Sequence, residues 1–186
     1  ADRAHIYIGD FGNNTGLRDD LHVLKISKAS LRAGTPEIGR ISFSFPVPDN
    51  FNPRPHLHDF DCEAMIVTDS GILLFTKEWL TGGTTLYSLP KEPGSYVARK
   101  LIHWQVNGLL TGADLHPSGR LIALCGYTAL MQPFLILAWA PSPDSPPEGI
   151  VETGSFTGRA AFRRFHLPLP AHQVEGVAFS RSGTLY

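Results

Sequence analysis

The residues best suited to chemistry in this sequence are glutamates that return at the same place in a repeated segment. Glu63 and Glu175 each open a nine-residue segment that ends in Ser-Gly, and a third copy opens with Thr111. If the copies surround one axis, their carboxylates repel each other, and a divalent cation with oxygen ligands relieves that repulsion. The repeat therefore makes Glu63 and Glu175, together with Asp61 and Asp114, candidate ligands for Ca²⁺ or another divalent cation.

The same carboxylates also have a structural interpretation. Glu63 and Glu175 could accept backbone hydrogen bonds from a neighbouring repeat and so hold the repeats together, and Thr111 departs from a ring made only of glutamates. Lys77, at the end of the strand that follows the first copy, could neutralise Glu63 or an anionic ligand, although an ordinary ion pair is the simpler expectation. Asp61, Glu63, Lys77, Asp114 and Glu175 are thus the candidate ligand-binding or channel-lining residues.

A second polar cluster occupies residues 56–63, where His56 and His58 flank a leucine. In an extended chain the two imidazoles share one face, and a His-x-His pair is a common fragment of zinc sites. The prolines just before the cluster favour a loop instead, in which the histidines would be exposed to solvent.

The third polar run, residues 10–20, is rich in Asp, Asn and Gly. These residue types form turns and can also ligate calcium. Leu21 stands where an EF-hand loop carries its last glutamate, so a turn is the favoured interpretation.

The elements that position these residues are short β-strands. Apolar runs of four to eight residues recur between Gly, Pro, Asn, Asp and Ser, and helical spacing is rare. A second strand follows each Ser-Gly pair, whose glycine is expected to supply the positive φ of a hairpin turn. The predicted second strands are 5–8, 72–75, 121–124 and 184–186; the third strands are 21–26, 84–89 and 134–139; the fourth strands are 40–45, 97–103 and 160–167.

Four antiparallel strands per repeat predict an all-β fold made of β-propeller blades. A β-sandwich also has many short strands, but it does not explain a motif that returns at one point of a four-strand cycle. We expect residues 1–186 to form a partial propeller domain of about three blades, where closed rings have four to eight. Further blades of a longer chain, or a second copy, would complete a six-bladed ring. The predicted blade parts are 1–46, 59–104, 109–168 and 173–186.

Composition excludes several classes of partner. The chain has 186 residues, of which 42% are hydrophobic and 18% charged, so it can bury a core. Its 16 basic and 17 acidic residues give a net charge of −1, which predicts no nucleic-acid binding. The longest apolar stretch, 134–140, is far below the roughly 20 residues that span a bilayer, so no membrane association is expected.

The two cysteines, Cys62 and Cys125, are too few for a disulfide framework, and we expect two small buried thiols, with a disulfide between them as the alternative. The sequence opens on Ala1, just before an apolar strand, so a leader could have been removed upstream.

Three motifs carry a family resemblance. The turn at 9–14 (Gly-Asp-Phe-Gly-Asn-Asn) and the strand starts at 61–64 and 175–177 resemble those of bacterial exported six-bladed propellers, including the SMP-30/gluconolactonase, NHL-like and esterase-like phytase propellers. The resemblance implies the fold and export to the periplasm or the extracellular space. Enzymes among similar propellers use a bound ion to polarise a carbonyl or phosphoryl oxygen.

Two functions follow from these observations. The leading expectation is a platform that binds a small molecule or a protein on the propeller face. The alternative is a divalent-metal-dependent hydrolase of the lactonase or phosphoesterase type, with its site at the central channel. The sequence contains no G-x-S-x-G elbow, phosphate loop or dinucleotide fingerprint.

Overall fold

A computed structural model describes residues 1–139 and 162–186, and these form three four-stranded β-sheets. The first sheet contains, in spatial order, β1 (His5–Asp10), β2 (His22–Ser27), β3 (Ile38–Ser44) and β7 (Gly94–Val97). The central sheet contains β4 (Asp61–Val67), β5 (Ile72–Lys77), β6 (Thr84–Leu89) and β8 (Arg99–Trp104). The third contains β9 (Leu109–Leu115), β10 (Leu121–Tyr127), β11 (Pro133–Trp139) and β12 (Phe162–His166). A five-residue helix, α1 (Lys28–Arg32), follows β2.

Most predicted strands coincide with observed ones. Five predictions, 5–8, 72–75, 84–89, 121–124 and 134–139, fall entirely within observed strands. The predictions 21–26 and 40–45 are displaced by one or two residues from β2 and β3. Of the predicted strand 160–167, residues 160 and 161 lie outside the described residues, and the described part contains β12.

One strand departs from the predicted cycle. The predicted fourth strand 97–103 is divided at Ala98 into β7 and β8. All neighbouring strands within the sheets are antiparallel except β7, which leaves the central sheet and pairs in parallel with β3, placing Gly94 opposite Ile41. The first and central sheets are therefore joined by backbone hydrogen bonds as well as by side chains.

The central sheet buries both of its faces. Along β5, Ile72 and Leu74 point into a core shared with the first sheet, whereas Leu73 and Phe75 point into a core shared with the third. Alternate side chains of a strand face opposite sides, and every residue of β5 is buried. This explains why β5 is a continuous apolar run, without polar alternation, until Thr76.

The glycines of the Ser-Gly turns serve two different purposes. Gly119 and Gly183 have φ of +71° and +85°, as predicted for hairpin turns. The prediction is wrong for Gly71, whose φ is not positive. A Cβ on Gly71 would lie 2.7 Å from the Leu89 carbonyl oxygen, so the close approach of two backbones excludes a side chain there.

The motif copy that opens with Glu175 forms a turn but no extended hairpin. Ser180 N donates to the Thr184 carbonyl at 2.8 Å, and Phe179 and Leu185 form an isolated bridge. The predicted second strand 184–186 is thus reduced to that bridge.

Both cysteines are free and buried, as expected. Burial raises the pKa of each thiol, and that of Cys125 reaches about 11 although a hydrogen bond with Thr111 opposes the shift. In the described ranges, no helix has the length and apolar character needed to cross a membrane.

Candidate functional site

A cleft of about 310 Å³ lies where the starts of the three motif copies meet the end of β1. The cleft therefore brings together one position of the repeat from three different parts of the chain. Its lining consists of Gly9, Phe11, Glu63, Ala64, Met65, Thr111, Gly112, Ala113, Glu175, Gly176 and Val177.

β-Bulges position two of the cleft residues. In the pairing of β4 with β5, Cys62 and Ala64 lie opposite consecutive residues, so Glu63 is the extra residue. The pairing of β9 with β10 has the same irregularity at Thr111. A bulge turns its extra side chain away from the regular alternation of the strand. The repeat position occupied by Glu63 and Thr111 is thus a bulge in both strands. The sequence repeat located this position but did not predict the bulge.

Glu63 is neutralised by Lys77, as one of the sequence interpretations suggested. Lys77 Nζ lies 3.0 Å from Glu63 Oε1, and only 5% of the lysine side chain is exposed. The ammonium also lies 4.6 Å from the centre of the Trp79 ring and 5.5 Å from that of Tyr127, within cation–π range. Aromatic rings and a carboxylate thus replace the water that the lysine loses on burial.

The pKa values of this pair reflect burial and partnership together. Burial raises the pKa of Glu63, the hydrogen bond from Lys77 opposes that shift, and the negative charge of Glu175 adds to it. Burial also disfavours the charged form of Lys77, but its hydrogen bonds with Glu63 and Tyr127 leave its pKa raised. Glu175 is exposed. The cleft therefore contains one neutralised and one solvent-facing carboxylate.

Asp61 belongs to the structural framework rather than to the cleft lining. Its side chain is fully buried, and Oδ1 accepts hydrogen bonds from the backbone N–H groups of Asn13 at 2.6 Å and Cys62 at 2.9 Å. Oδ2 accepts from Trp79 Nε1 at 3.0 Å. These donors attach the 10–20 loop and Trp79 to β4, so both carboxylate oxygens are already engaged.

Asp114 has a comparable framework role. Oδ1 accepts from the N–H of Leu115 at 2.9 Å, and Oδ2 accepts from that of Phe179 at 2.7 Å. The Thr111 hydroxyl likewise donates to the Val174 carbonyl. These bonds hold the motif copy at 175–183 against β9, which brings Glu175 to the cleft. Of the five candidate residues, the structure thus places Glu63 and Glu175 on the cleft lining, Lys77 behind Glu63, and Asp61 and Asp114 in the framework.

The two histidines of the 56–63 cluster do not act as a pair. His56 has a φ of +57° and is exposed, with its ring 4.2 Å from that of Trp79. His58 is buried; its Nδ1 accepts from the N–H of Phe60 at 3.1 Å, and its Nε2 lies 3.3 Å from the Asn14 carbonyl. The expected solvent-exposed pair is therefore wrong for His58, because the turn at His56 sends the next imidazole inward.

The 10–20 run forms a turn closed by an arginine. Arg18 lies 2.8 Å from both Asp10 and Asp20, and Gly16 N donates to the Asn13 carbonyl at 2.9 Å. The carboxylates thus face a guanidinium rather than a shared cation. Within residues 1–139 and 162–186, no group of three or more His, Cys, Asp or Glu side chains is arranged to hold a metal ion.

Sequence reasoning missed a buried polar cage around Glu78. Its Oε1 accepts from the hydroxyls of Thr76 at 3.0 Å and Thr85 at 2.7 Å. Its Oε2 accepts from the Thr81 hydroxyl and lies 3.0 Å from His103 Nε2. The available signal was the group of threonines at the loop end of the β5–β6 hairpin, but these look like ordinary strand and loop residues until the hairpin is folded.

A comparison with known protein families found no family model that matches this chain, and a comparison with curated proteins found no matching relative. The cleft and its surroundings are therefore the basis for assigning a function.

Proposed function

We propose that the chain is part of a β-propeller and that the cleft binds a ligand carrying a cationic group. Three four-stranded sheets, two of them opening with a bulged motif strand, support the propeller. The observation that carries the function is the meeting of Glu63, Thr111 and Glu175 in one cleft. Repeated positions that converge in this way are a common origin of binding sites on symmetric folds.

The charges of the cleft select the chemistry of the ligand. Glu63 already has a cation in Lys77, while Glu175 faces solvent and raises the pKa of Glu63. A ligand ammonium or guanidinium would compensate the second carboxylate and relieve that repulsion. Phe11, Met65 and Val177 add apolar walls, so a small organic cation fits the lining.

A metal-dependent hydrolase is the second candidate, because two carboxylates line the same cleft. Its ligand set is smaller than the sequence suggested, since Asp61 and Asp114 have both oxygens hydrogen-bonded to protein donors. A cation would have Glu63 and Glu175 as its protein carboxylates, with water and backbone oxygens as further ligands.

Calorimetric titration with n-butylammonium and, separately, with CaCl₂ distinguishes the two candidates. The binding proposal predicts saturable butylammonium binding that weakens at least about tenfold in Glu63→Gln and Glu175→Gln. The exposed Glu37 provides the matched control, and Glu37→Gln should bind as the unchanged protein does.

Two results together would establish the hydrolase. Elemental analysis would find metal in the purified protein, and both cleft variants would lose that metal together with a screened esterase or phosphoesterase activity. Absence of both butylammonium and calcium binding would overturn the proposed site.

A further inference from the structure

Exposed leucines are concentrated at one end of the sheets. In the described part of the chain, six leucines are exposed: Leu17, Leu31, Leu57, Leu80, Leu130 and Leu169. Because neighbouring strands run antiparallel, the loops after β1, β5 and β10 share one end with the segments before β4 and after β12. Five of the six leucines lie in these segments, whereas Leu31 lies on α1 at the opposite end.

Three of these leucines lie in corresponding loops of the three sheets. Leu17, Leu80 and Leu130 lie in the loops that follow β1, β5 and β10, and they are 71%, 61% and 77% exposed. Isolated exposed leucines are ordinary on protein surfaces. An exposed leucine in the corresponding loop of each of three sheets, all at one end, is a different pattern and indicates a contact surface. We call these three residues the leucine rim.

Tight turns hold the rim in place. Leu17 follows Gly16, whose φ is +74°, and the N–H of Leu80 donates to Asp59 Oδ1 at 2.8 Å. Next to Leu130, the N–H of Met131 donates to the Thr128 carbonyl at 2.8 Å. Ordering these loops before binding reduces the entropy lost when a partner docks.

The rim and the cleft lie at the same end of the sheets. The bulges at Glu63 and Thr111 lie near the starts of β4 and β9, and Gly9 lies near the end of β1, all at the leucine-rich end. Exposed leucines therefore share one end of the sheets with a cleft that contains a solvent-facing carboxylate. This resembles the general anatomy of a protein interface, in which apolar anchors accompany a few specific polar groups.

Charges at this end select against a polyanionic partner. Arg18 is occupied by Asp10 and Asp20, and Lys77 by Glu63. Neither of these basic side chains is thus free to bind phosphates. Apart from Arg18, the residues beside the rim leucines are uncharged: Gly16, Trp79, Thr81, Ala129 and Met131.

We propose that this end docks a protein partner whose apolar surface covers Leu17, Leu80 and Leu130 and whose lysine or arginine enters the cleft toward Glu175. Only the basic side chain rests on the proposed function of the cleft. Contact with the leucine rim follows from the exposed leucines alone.

Site-specific photocrosslinking in extract of the producing organism tests the proposal. Benzoylphenylalanine at position 80 should give one discrete protein adduct, while the same group at position 31, the matched exposed leucine on α1, should not. Leu17→Ser with Leu130→Ser, in the two loops that do not carry the crosslinker, should lower the adduct yield at least about tenfold. Leu57→Ser, outside the leucine rim, should lower it less.

Two further measurements decide between occupants. Glu175→Gln should weaken adduct formation. If only this variant leaves the adduct yield unchanged, the partner's basic group in the cleft is ruled out and its contact with the leucine rim remains. Co-sedimentation with vesicles of phosphatidylcholine and phosphatidylglycerol, lost in the Leu17→Ser, Leu130→Ser protein, would overturn the proposal in favour of a lipid surface. An adduct that does not depend on the leucine rim would overturn it as well.

Discussion

At the scale of single residues, the ion pair of Glu63 and Lys77 shows how burial changes the value of a charge. A solvent-exposed pair contributes little to stability, whereas removing one partner of a buried pair leaves the other charge without compensation. Lys77 is enclosed by two aromatic rings and a carboxylate, and Glu63 remains partly open to the cleft.

We therefore expect Lys77→Met to lower the free energy of unfolding by about 2–3 kcal/mol in urea titrations. The control is Lys25→Met, since Lys25 pairs with the largely exposed Glu92 at 3.5 Å and should change stability by about 0.5 kcal/mol or less. Equal effects of the two substitutions would show that the aromatic enclosure of Lys77 contributes nothing.

The thiol of Cys125 gives the protein an alkaline sensitivity. Its pKa is about 11 in the folded protein and 9.0 for the free group, because burial disfavours the thiolate. A group whose pKa is raised by folding contributes stability that is complete below its unfolded pKa and is lost as the pH rises through its folded pKa. Stability should thus fall between pH 9 and about pH 11.

The measurement is urea unfolding at a series of alkaline pH values, with Cys125→Ala compared with the unchanged protein. The variant should show a smaller decline over this range. A decline that is identical in both proteins would assign the alkaline sensitivity to other groups, such as Tyr87, whose pKa burial raises to about 12.

At the scale of elements, turns and bulges determine where each strand presents its polar residues. The Ser-Gly turn at Gly71 brings two backbones into contact, and the bulge at Glu63 sends a carboxylate into the cleft. Both features depend on how two strands are paired.

Gly71→Ala is expected to destabilise the protein by about 1–3 kcal/mol, because its Cβ would meet the Leu89 carbonyl oxygen at 2.7 Å. Gly12→Ala provides the control, since a Cβ there has no neighbour within 4 Å. Urea unfolding of both variants checks the difference. If Gly71→Ala leaves the free energy of unfolding unchanged, β5 and β6 can move apart at this position without loss of stability.

At the scale of the whole molecule, the central sheet is the shared wall of two cores. Leu73 and Leu74 are adjacent in sequence but pack on opposite sides, toward the third and first sheets respectively. Unfolding of either core would expose one face of the central sheet, so the three sheets should unfold together.

Leu73→Ala and Leu74→Ala should each lower stability by about 2–5 kcal/mol, as fully buried leucines do. Leu31→Ala on the surface of α1 should be close to neutral. Far-UV circular dichroism and tryptophan fluorescence should report coincident transitions for each variant. Separate transitions in Leu74→Ala would show that the first sheet unfolds independently of the other two.

The site was only partly predictable. The repeat identified Glu63 and Glu175 as equivalent, and both line the cleft. It gave no indication that Asp61 and Asp114 have both carboxylate oxygens engaged, because the donors Asn13, Trp79 and Phe179 come from segments distant in sequence. The Glu78 cage was missed for the same reason: Glu78 and His103 are brought together only by the pairing of β6 with β8.

The sequence by itself determined the strands and most of their hairpins, because alternating apolar residues and Ser-Gly turns act over a few neighbouring positions. Only the tertiary structure decided that β7 leaves its own sheet, that Lys77 lies against the rings of Trp79 and Tyr127, and that Leu17, Leu80 and Leu130 share one end. The physical reason is that local preferences specify where a strand begins and which face it buries, whereas the partner of each edge and charge is set by contacts between residues far apart in the chain.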